Sequence, residues 1–83
     1  MNIIKILSPE VTLASATDVG GAKLVRVLNN KTSIQPITYT DAGGQVLGVV
    51  TLAAGEVAYI AKNPSDKLLG VATSLATEVA FKH

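Results

Sequence analysis

Residues that could support catalysis are few and widely separated in this chain. The 83 residues include no cysteine and one histidine, His83, at the last position. A histidine acts as a general base or metal ligand only with partner groups around it, and the sequence places none near His83. The serines lie mostly in predicted turns, and none has the GxSxG context of a nucleophile elbow. They are Ser8, Ser15, Ser33, Ser65 and Ser74. We therefore predict that the protein is not an enzyme and has no catalytic residues.

Metal and phosphate sites are equally poorly supported. The six carboxylates are scattered, and a pair such as Asp18 and Asp41 would have to meet in space to hold calcium. Aspartate in a loop more often accepts hydrogen bonds from its own turn. Gly20–Lys23 (GGAK) and Gly43-Gly44 lack the GxxxxGK[ST] spacing of a phosphate loop. No metal and no cofactor are predicted.

The composition favours a small folded domain that associates with other proteins. Apolar residues make up 48% of the chain and aromatic residues only 4%, so Val, Leu, Ile and Ala must form the core. A domain of this size buries only about 60% of its unfolded surface, and an apolar excess is more easily buried against another subunit. We therefore expect a homo-oligomer. Charges are spread singly with a net charge of +1, which is not the pattern of a nucleic-acid-binding protein.

The N-terminal residues and the hydropathy pattern give expectations about location. No run approaches the ~20 apolar residues that a membrane-spanning helix needs, so no membrane partner is predicted. Met1–Leu7 lacks the apolar length and the cleavage site of a signal peptide. We expect a soluble protein that is made inside a cell.

Short apolar segments separated by turn residues predict an all-β fold. Thr38–Lys67 reads as three strands joined by two glycine-containing turns, and we interpret it as a central meander. The predicted strands are Asn2–Leu7, Glu10–Ala14, Ala22–Asn29, Ile34–Thr40, Gln45–Leu52, Glu56–Lys62 and Leu75–Lys82. The fold class is a small antiparallel β-sandwich or barrel of about six to seven short strands, with at most one helical turn.

Particular residues refine these strands. Pro36 predicts that its strand is an edge strand or contains a bulge, because proline has no N–H to donate. Gln45–Leu52 has apolar residues on both faces and is predicted to be central, with a bulge or close packing at Gly48. Asn63–Asp66 is predicted to be a turn that opens one helical turn through Leu69. Lysines and an arginine on strands are expected to keep the sheets solvated; they are Lys5, Lys23, Arg26 and Lys62.

Two sets of side chains are candidates for binding. Residues 1–83 form one predicted domain, in which residues 1–9 are an N-terminal arm or an edge strand. The candidate interface within this arm consists of Ile3, Ile4, Ile6 and Leu7. Tyr39 and Tyr59 could form a sugar-stacking platform, although tyrosines at inward-facing positions of strands more often belong to the core.

Three segments resemble a type of small β-rich virion protein of tailed bacteriophages, the capsid decoration or cement proteins. They are LVRVLN (Leu24–Asn29), TLAAGEVAYIAKNPSDKL (Thr51–Leu68) and VAF (Val79–Phe81). The resemblance covers most of the chain from Gly20 onward, whereas Met1–Thr17 has no counterpart. It implies no catalytic residues, and it implies assembly onto a capsid or tail with copies fixed by symmetry.

The composition and the resemblance lead to the same functional expectation. The leading hypothesis is a capsid decoration or cement protein that is made in the host cytoplasm and resides in the virion. It would pack against major capsid proteins, as a trimer or dimer, and stabilise the phage head through buried contact area. The alternative is a tail, neck or fibre component with a face that binds host glycans. The sequence leaves the head or tail location and the oligomeric state open.

Overall fold

A computed structural model describes residues 3–71 and 74–82 as eight strands in two antiparallel sheets. This confirms the predicted all-β class with the architecture of a small sandwich, and the described residues contain no helix. The strands are β1 (Ile3–Ile6), β2 (Val11–Thr12), β3 (Leu24–Asn29), β4 (Gln35–Thr40), β5 (Val46–Leu52), β6 (Val57–Ala61), β7 (Lys67–Leu69) and β8 (Ser74–Lys82).

The larger sheet has the order β1-β8-β3-β6, and β2 also pairs with β8. Strand β3 lies between β8 and β6. Its side chains alternate between a face that packs on the core and a face that is partly exposed. Val25, Val27 and Asn29 are buried, whereas Leu24, Arg26 and Leu28 are only half-buried. Strands β1 and β2 follow one another along β8, and β1 is therefore an end strand of this sheet.

The smaller sheet has the order β5-β4-β7, which corrects two predictions. The strand that contains Pro36 was predicted to be an edge strand or to contain a bulge. It is central, and its register against β5 shifts between Tyr39 and Thr40, not at Pro36. Proline is tolerated there because β7 pairs only with Thr38–Thr40 and does not reach Pro36. Conversely, β5 was predicted to be central and is an end strand. The predicted irregularity near Gly48 is present, since the β4/β5 register shifts between Tyr39 and Thr40, which face Gly48 and Val46.

The two sheets enclose one apolar core. The larger sheet contributes Val25, Val27 and Ala76, and the smaller sheet contributes Ile37, Leu52 and Leu68. Connecting segments supply Leu13, Val19 and Ala22, and Tyr39, Ala58 and Ile60 pack against this cluster. The buried members of this apolar cluster are all aliphatic, as the composition predicts.

The predicted meander across Thr38–Lys67 is wrong. Strands β4 and β5 do pair, but β6 pairs with β3 in the other sheet. The reason lies at Asn29, the last residue of β3. Its N–H donates to the Glu56 carbonyl at 3.0 Å, and its carbonyl accepts from the Gly55 N–H at 2.9 Å. The Ala53–Glu56 turn is thus bonded to β3 and carries the chain from one sheet to the other.

The side chain of Asn29 completes this crossing. It is fully buried, and its Nδ2 donates to the carbonyls of Leu52 at 3.0 Å, Ala53 at 3.0 Å and Ser33 at 2.9 Å. Its Oδ1 accepts from the Lys31 N–H at 3.2 Å. One buried amide therefore joins the end of β3 to the end of β5 and to two turns.

The predicted helical turn after Asn63–Asp66 is also wrong, because Lys67–Leu69 forms β7. The backbone of this segment is used on both sides. Leu68 exchanges N–H···O bonds with Thr17 at 2.9 and 3.1 Å, while the three residues pair with Thr38–Thr40 of β4. A ladder with β4 and an isolated bridge with Thr17 use its backbone groups, so a strand is favoured over a single helical turn.

The three residues after Asp18 have an unusual backbone geometry. Val19, Gly20 and Gly21 have φ angles of 53°, 67° and 76°, all in the left-handed region. Glycine adopts this region freely, whereas a β-branched residue rarely does. Val19 is held there because its side chain is buried in the core and its N–H donates to Thr17 Oγ1 at 3.1 Å.

Candidate interaction surface

The most unusual surface of the protein is strand β5. Four of its large apolar side chains are exposed: Val46 by 57%, Leu47 by 56%, Val49 by 60% and Val50 by 44%. Only the last residue of the strand, Leu52, is buried. An end strand with apolar side chains on both faces and on its edge is a surface that another protein can cover.

The backbone of β5 also presents N–H and C=O groups that do not bond to β4. The pairing of β4 with β7 and with β5 shows which residues carry these groups. Because Leu68 bonds to Thr17, the Tyr39–Leu68 pair of β4 and β7 is a non-hydrogen-bonded pair. The N–H and C=O of Tyr39 therefore point toward β5, and those of Ile37, two residues before, do the same. Their partners on β5 are Gly48 and Val50.

The residues between these partners must point the other way. Val49 faces Thr38 and Thr51 faces Pro36, in non-hydrogen-bonded pairs. This assignment agrees with Pro36, which has no N–H to give to Thr51. Among the described residues no strand lies beyond β5, so the N–H and C=O groups of Val49 and Thr51 point to an open edge.

An apolar groove runs beside this edge. It has a volume of about 470 Å³ and lies between β5 and β6, which is the last strand of the larger sheet. Ile37, Tyr39 and Leu68 contribute from the smaller sheet, and Ala58 and Ile60 contribute from β6. The sandwich is thus open on the side where the free edges of both sheets meet.

Strand β5 lacks the features by which proteins usually protect a sheet edge. Residues 42–55 contain no charged side chain and no proline. Edge strands commonly carry lysine, proline or an inward-pointing charge, and seven-residue uncharged β-segments pair readily with other strands. By contrast, β1 carries Lys5, and Pro9 follows it within three residues of its end. The absence of charge was the signal in the sequence by which this surface could have been found.

A polar cluster closes one end of the smaller sheet. The hydroxyl of Tyr39 donates to Asp66 Oδ2 and accepts from the Asn63 N–H at 3.3 Å. The hydrogen bond to Asp66 raises the pKa of Tyr39 above its usual value, with burial adding to the effect. The Tyr39 ring is therefore held by its hydroxyl.

Lys62 belongs to the same cluster and was predicted to solvate the sheet. It is buried, with 7% of its surface exposed, and this prediction is wrong. Its Nζ donates to the carbonyls of Asn63 at 3.1 Å, Pro64 at 3.3 Å and Asp66 at 2.9 Å. Burial lowers the pKa of Lys62, although Asp18 and Asp66 oppose the shift. The ammonium group organises the turn between β6 and β7.

The predicted N-terminal interface lies at the other end of the larger sheet. Ile6 is 75% exposed and Leu7 is 51% exposed, whereas Ile4 is half-buried. The side chain of Ile3 lies outside the described set, although its backbone pairs with Lys82. The segment is held to its own chain, because the Leu7 N–H donates to the Glu78 carbonyl at 2.9 Å. Its use as an interface stays a prediction.

The two aspartates weighed for metal binding have structural roles in their own turns. Asp41 Oδ1 accepts from the N–H groups of Gly43 and Gln45, each at 2.9 Å, and Asp18 Oδ1 accepts from Gly20 at 3.1 Å, as turn-forming aspartates do. Residues 3–71 and 74–82 contain no cluster of three His, Cys, Asp or Glu side chains that could hold a metal. His83 lies outside this part of the chain.

The two tyrosines proposed for glycan stacking are in different environments. Tyr39 packs against the core, as expected for an inward-facing position. Tyr59 was also predicted to face inward, but it is 44% exposed, because its neighbours Ala58 and Ile60 are the β6 residues that pack inward.

The part of the chain that the structure describes has no helix long and apolar enough to span a membrane. In comparisons with known proteins, no family model, curated sequence or solved structure matches this chain.

Proposed function

We propose that this protein is a non-enzymatic structural component of a tailed-phage particle, a capsid decoration or cement protein that packs against major capsid proteins. The observation that carries the proposal is the presence of two separate open apolar edges on one small domain. One edge contains Ile6 and Leu7, and the other contains β5. The sequence resemblance to small virion proteins supplies the particle as the site of assembly.

The two edges lie at opposite ends of the sandwich. In the order β1-β8-β3-β6, strand β1 is three strands away from β6, and the groove places β6 beside β5. Neighbouring strands are about 4.8 Å apart, so the two apolar regions are separated by roughly 14 Å or more across the sheet. A domain with this arrangement can contact one neighbour at each end, as a protein that connects subunits of a shell must do.

Association with neighbouring subunits would be driven by the burial of apolar surface. Each Å² of apolar surface removed from water contributes about 25 cal/mol, and association also stabilises the small domain by mass action. Most charged residues are isolated along the chain and the net charge is +1. The strength of binding would therefore come from contact area more than from ion pairs. We assign the N-terminal edge to the contact with the particle.

Particle composition is the first test. Quantitative mass spectrometry of purified particles of the encoding virus should find the protein on the order of hundreds of copies per particle, as the symmetry of a shell requires. A dozen copies or fewer would place it in the tail, and absence from the particle would contradict the proposal.

Particle binding by purified protein is the second test, with particles that lack it. Deletion of residues 1–7 and the Ile6→Asp variant should both abolish binding. Ile34→Asp is the matched control, because Ile34 is 66% exposed and lies outside both end strands. Unchanged occupancy with Ile6→Asp would rule out the N-terminal edge as the contact.

The alternative, a tail or fibre component that binds host glycans, is favoured by the exposure of Tyr59. Stacking on a sugar needs an accessible ring beside polar groups. Tyr59→Ala should then remove signals from a glycan array, and an array without signals for the unmodified protein would contradict this role.

A further inference from the structure

We propose that β5 pairs antiparallel with β5 of a second copy, so that two three-stranded sheets join into one six-stranded sheet across a twofold axis. This deepens the proposed function by assigning the surface for self-association, and it rests on that function only for the premise that the chain acts by assembly. The particle contact at the N-terminal edge is left unoccupied by this pairing.

The hydrogen-bonding geometry permits this pairing at defined residues. Val49 and Thr51 direct their N–H and C=O groups to the open edge, as the ladders with β4 and β7 require. In an antiparallel pair, hydrogen-bonded residues alternate with non-bonded ones. Two registers therefore use these groups. One places Val49 opposite Val49 of the second copy, and the other places Val50 opposite Val50, with Val49 opposite Thr51.

The chemistry of β5 favours a second copy as the partner. Pairing about a twofold axis brings the residues near the axis close to their own equivalents, and a charge there would meet the same charge on the second copy. Residues 42–55 carry no charge, so self-pairing encounters no repulsion. The segment equally offers no charge to a partner strand with lysine or glutamate at its edge. An uncharged apolar strand is complementary to another of the same kind.

The groove between β5 and β6 would add side-chain contacts to the backbone pairing of the two β5 strands. Gly48, Val50 and Leu52 share the inner face of β5, because they pair with Tyr39, Ile37 and Gln35. A second β5 beside the first would place its own Val50 at the mouth of the groove between β5 and β6. The side chains that leave this groove open to water would then be covered by equivalent side chains.

The size of the surface sets the expected strength. Stable interfaces cover about 800 Å² on each partner, which is about one sixth of the 4830 Å² that this chain exposes. A single strand edge is smaller than that, so the groove must contribute to the interface. We therefore expect a dimer that dissociates on dilution.

Sedimentation velocity of the full chain tests the pairing. From about 1 to 100 μM, the range of a weak to moderate dimer, the unmodified protein should shift from monomer to dimer. Val49→Lys adds a charge beside the axis, and Thr51→Pro removes an outward N–H without removing a bond to β4. Both variants should remain monomeric with unchanged circular dichroism. Val11→Lys makes the same change on β2 of the other sheet and should leave the dimer intact.

Single cysteines locate the interface, because the natural chain has none. A directly opposite antiparallel pair has Cα atoms about 4.5 or 5.5 Å apart, and both distances fit a disulfide. Mild oxidation should cross-link Val49→Cys or Val50→Cys, according to the register, and should leave Val11→Cys monomeric. A protein that is monomeric throughout, a trimer, or a cross-link at Val11→Cys alone would overturn the inference.

These results are separable from the test of function. Purified protein in solution reports on β5, whereas binding to particles reports on the N-terminal edge. Loss of dimers in Val49→Lys with no particle binding by any variant would support the pairing and contradict the virion role. Particle binding by a chain that never dimerises would do the reverse.

Discussion

Replacing Asn29 should remove the connection between the two sheets at one end of the sandwich. The two hydrogens of its Nδ2 group serve three carbonyl oxygens, those of Ser33, Leu52 and Ala53. In Asn29→Ala these acceptors lose their donor. The bond to Leu52 is buried and those to Ser33 and Ala53 are partly buried, and each buried unsatisfied group costs about 1–3 kcal/mol. With some relaxation of the exposed turns, we expect a loss of about 3–5 kcal/mol.

This loss is large for a domain of this size. Stabilities of about 0.05–0.15 kcal/mol per residue predict about 4–12 kcal/mol in total for 83 residues. Urea unfolding followed by far-ultraviolet circular dichroism should therefore show Asn29→Ala with a much lower midpoint or already unfolded in water. Asn30→Ala is the matched control, because Asn30 is the exposed neighbour, and it should change stability by less than about 0.5 kcal/mol.

Asn29→Asp adds a test through pH. A carboxylate at this position would face the carbonyl oxygens in a buried site, so its pKa in the folded protein would be raised above the unfolded value of about 3.9. The variant would be most stable, relative to the natural protein, below that unfolded pKa and would lose stability as the pH rises through the folded pKa. A loss below about 1 kcal/mol in Asn29→Ala, or no pH dependence in Asn29→Asp, would refute the structural role.

Three further predictions have defined outcomes. Gly20→Ala should lower the free energy of unfolding by about 1–2 kcal/mol, because alanine is strained in the left-handed backbone conformation of Gly20; the added Cβ itself meets no atom within 4 Å. Gly48→Ala is the control, since its Cβ is equally unobstructed and Gly48 has no positive φ; in the same urea titrations it should be neutral or slightly stabilising. Thr40→Val should raise the midpoint temperature of thermal unfolding, because Thr40 Oγ1 is buried without a hydrogen-bond partner among the described residues. A lower midpoint temperature would show that the hydroxyl does make a hydrogen bond. Tyr39→Phe should be less stable than the natural protein at neutral pH, because it lacks the hydrogen bond to Asp66. Because the pKa of Tyr39 is raised in the folded state, this difference should shrink as the pH rises above about 10; a constant difference across that range would contradict the bond.

The sequence predicted strands well where apolar and polar residues alternate over five or more positions. The alternation in Leu24–Asn29 and in Val57–Ala61 led to strands β3 and β6 with bounds close to those of the structure. These predictions succeeded because the period of two is a local property of the residues. The strand after Asn63–Asp66 was missed because its stability comes from backbone pairing with distant residues, Thr17 and Thr38–Thr40.

The connection between strands was harder to predict than the strands themselves. Ala53–Glu56 has the composition of a hairpin turn, yet it crosses between sheets because Asn29 bonds to its backbone. In the sequence, Asn29 ends a predicted strand and precedes Asn30, a residue of the same type that is exposed. Only its burial distinguishes it from an exposed turn residue, and burial depends on the whole fold.

Strand β5 was misplaced for a similar reason. Apolar side chains on both faces predicted a central strand, since burial on both faces is the usual cause of such a pattern. In the structure, Val46, Leu47 and Val49 are exposed, because β5 is an end strand of the smaller sheet. The apolar pattern alone does not distinguish a strand that is covered on both faces from an exposed end strand.

Amide hydrogen exchange at β5, measured by NMR on the dilute protein and on the assembled protein, tests the central claim most directly. The Val50 N–H lies in the ladder with Ile37 and should be protected in both samples. The N–H groups of Val49 and Thr51 point to the open edge and should exchange rapidly in the dilute protein and become protected on assembly. Rapid exchange of both amides in the assembled protein would contradict the account, as would protection already present in the monomer.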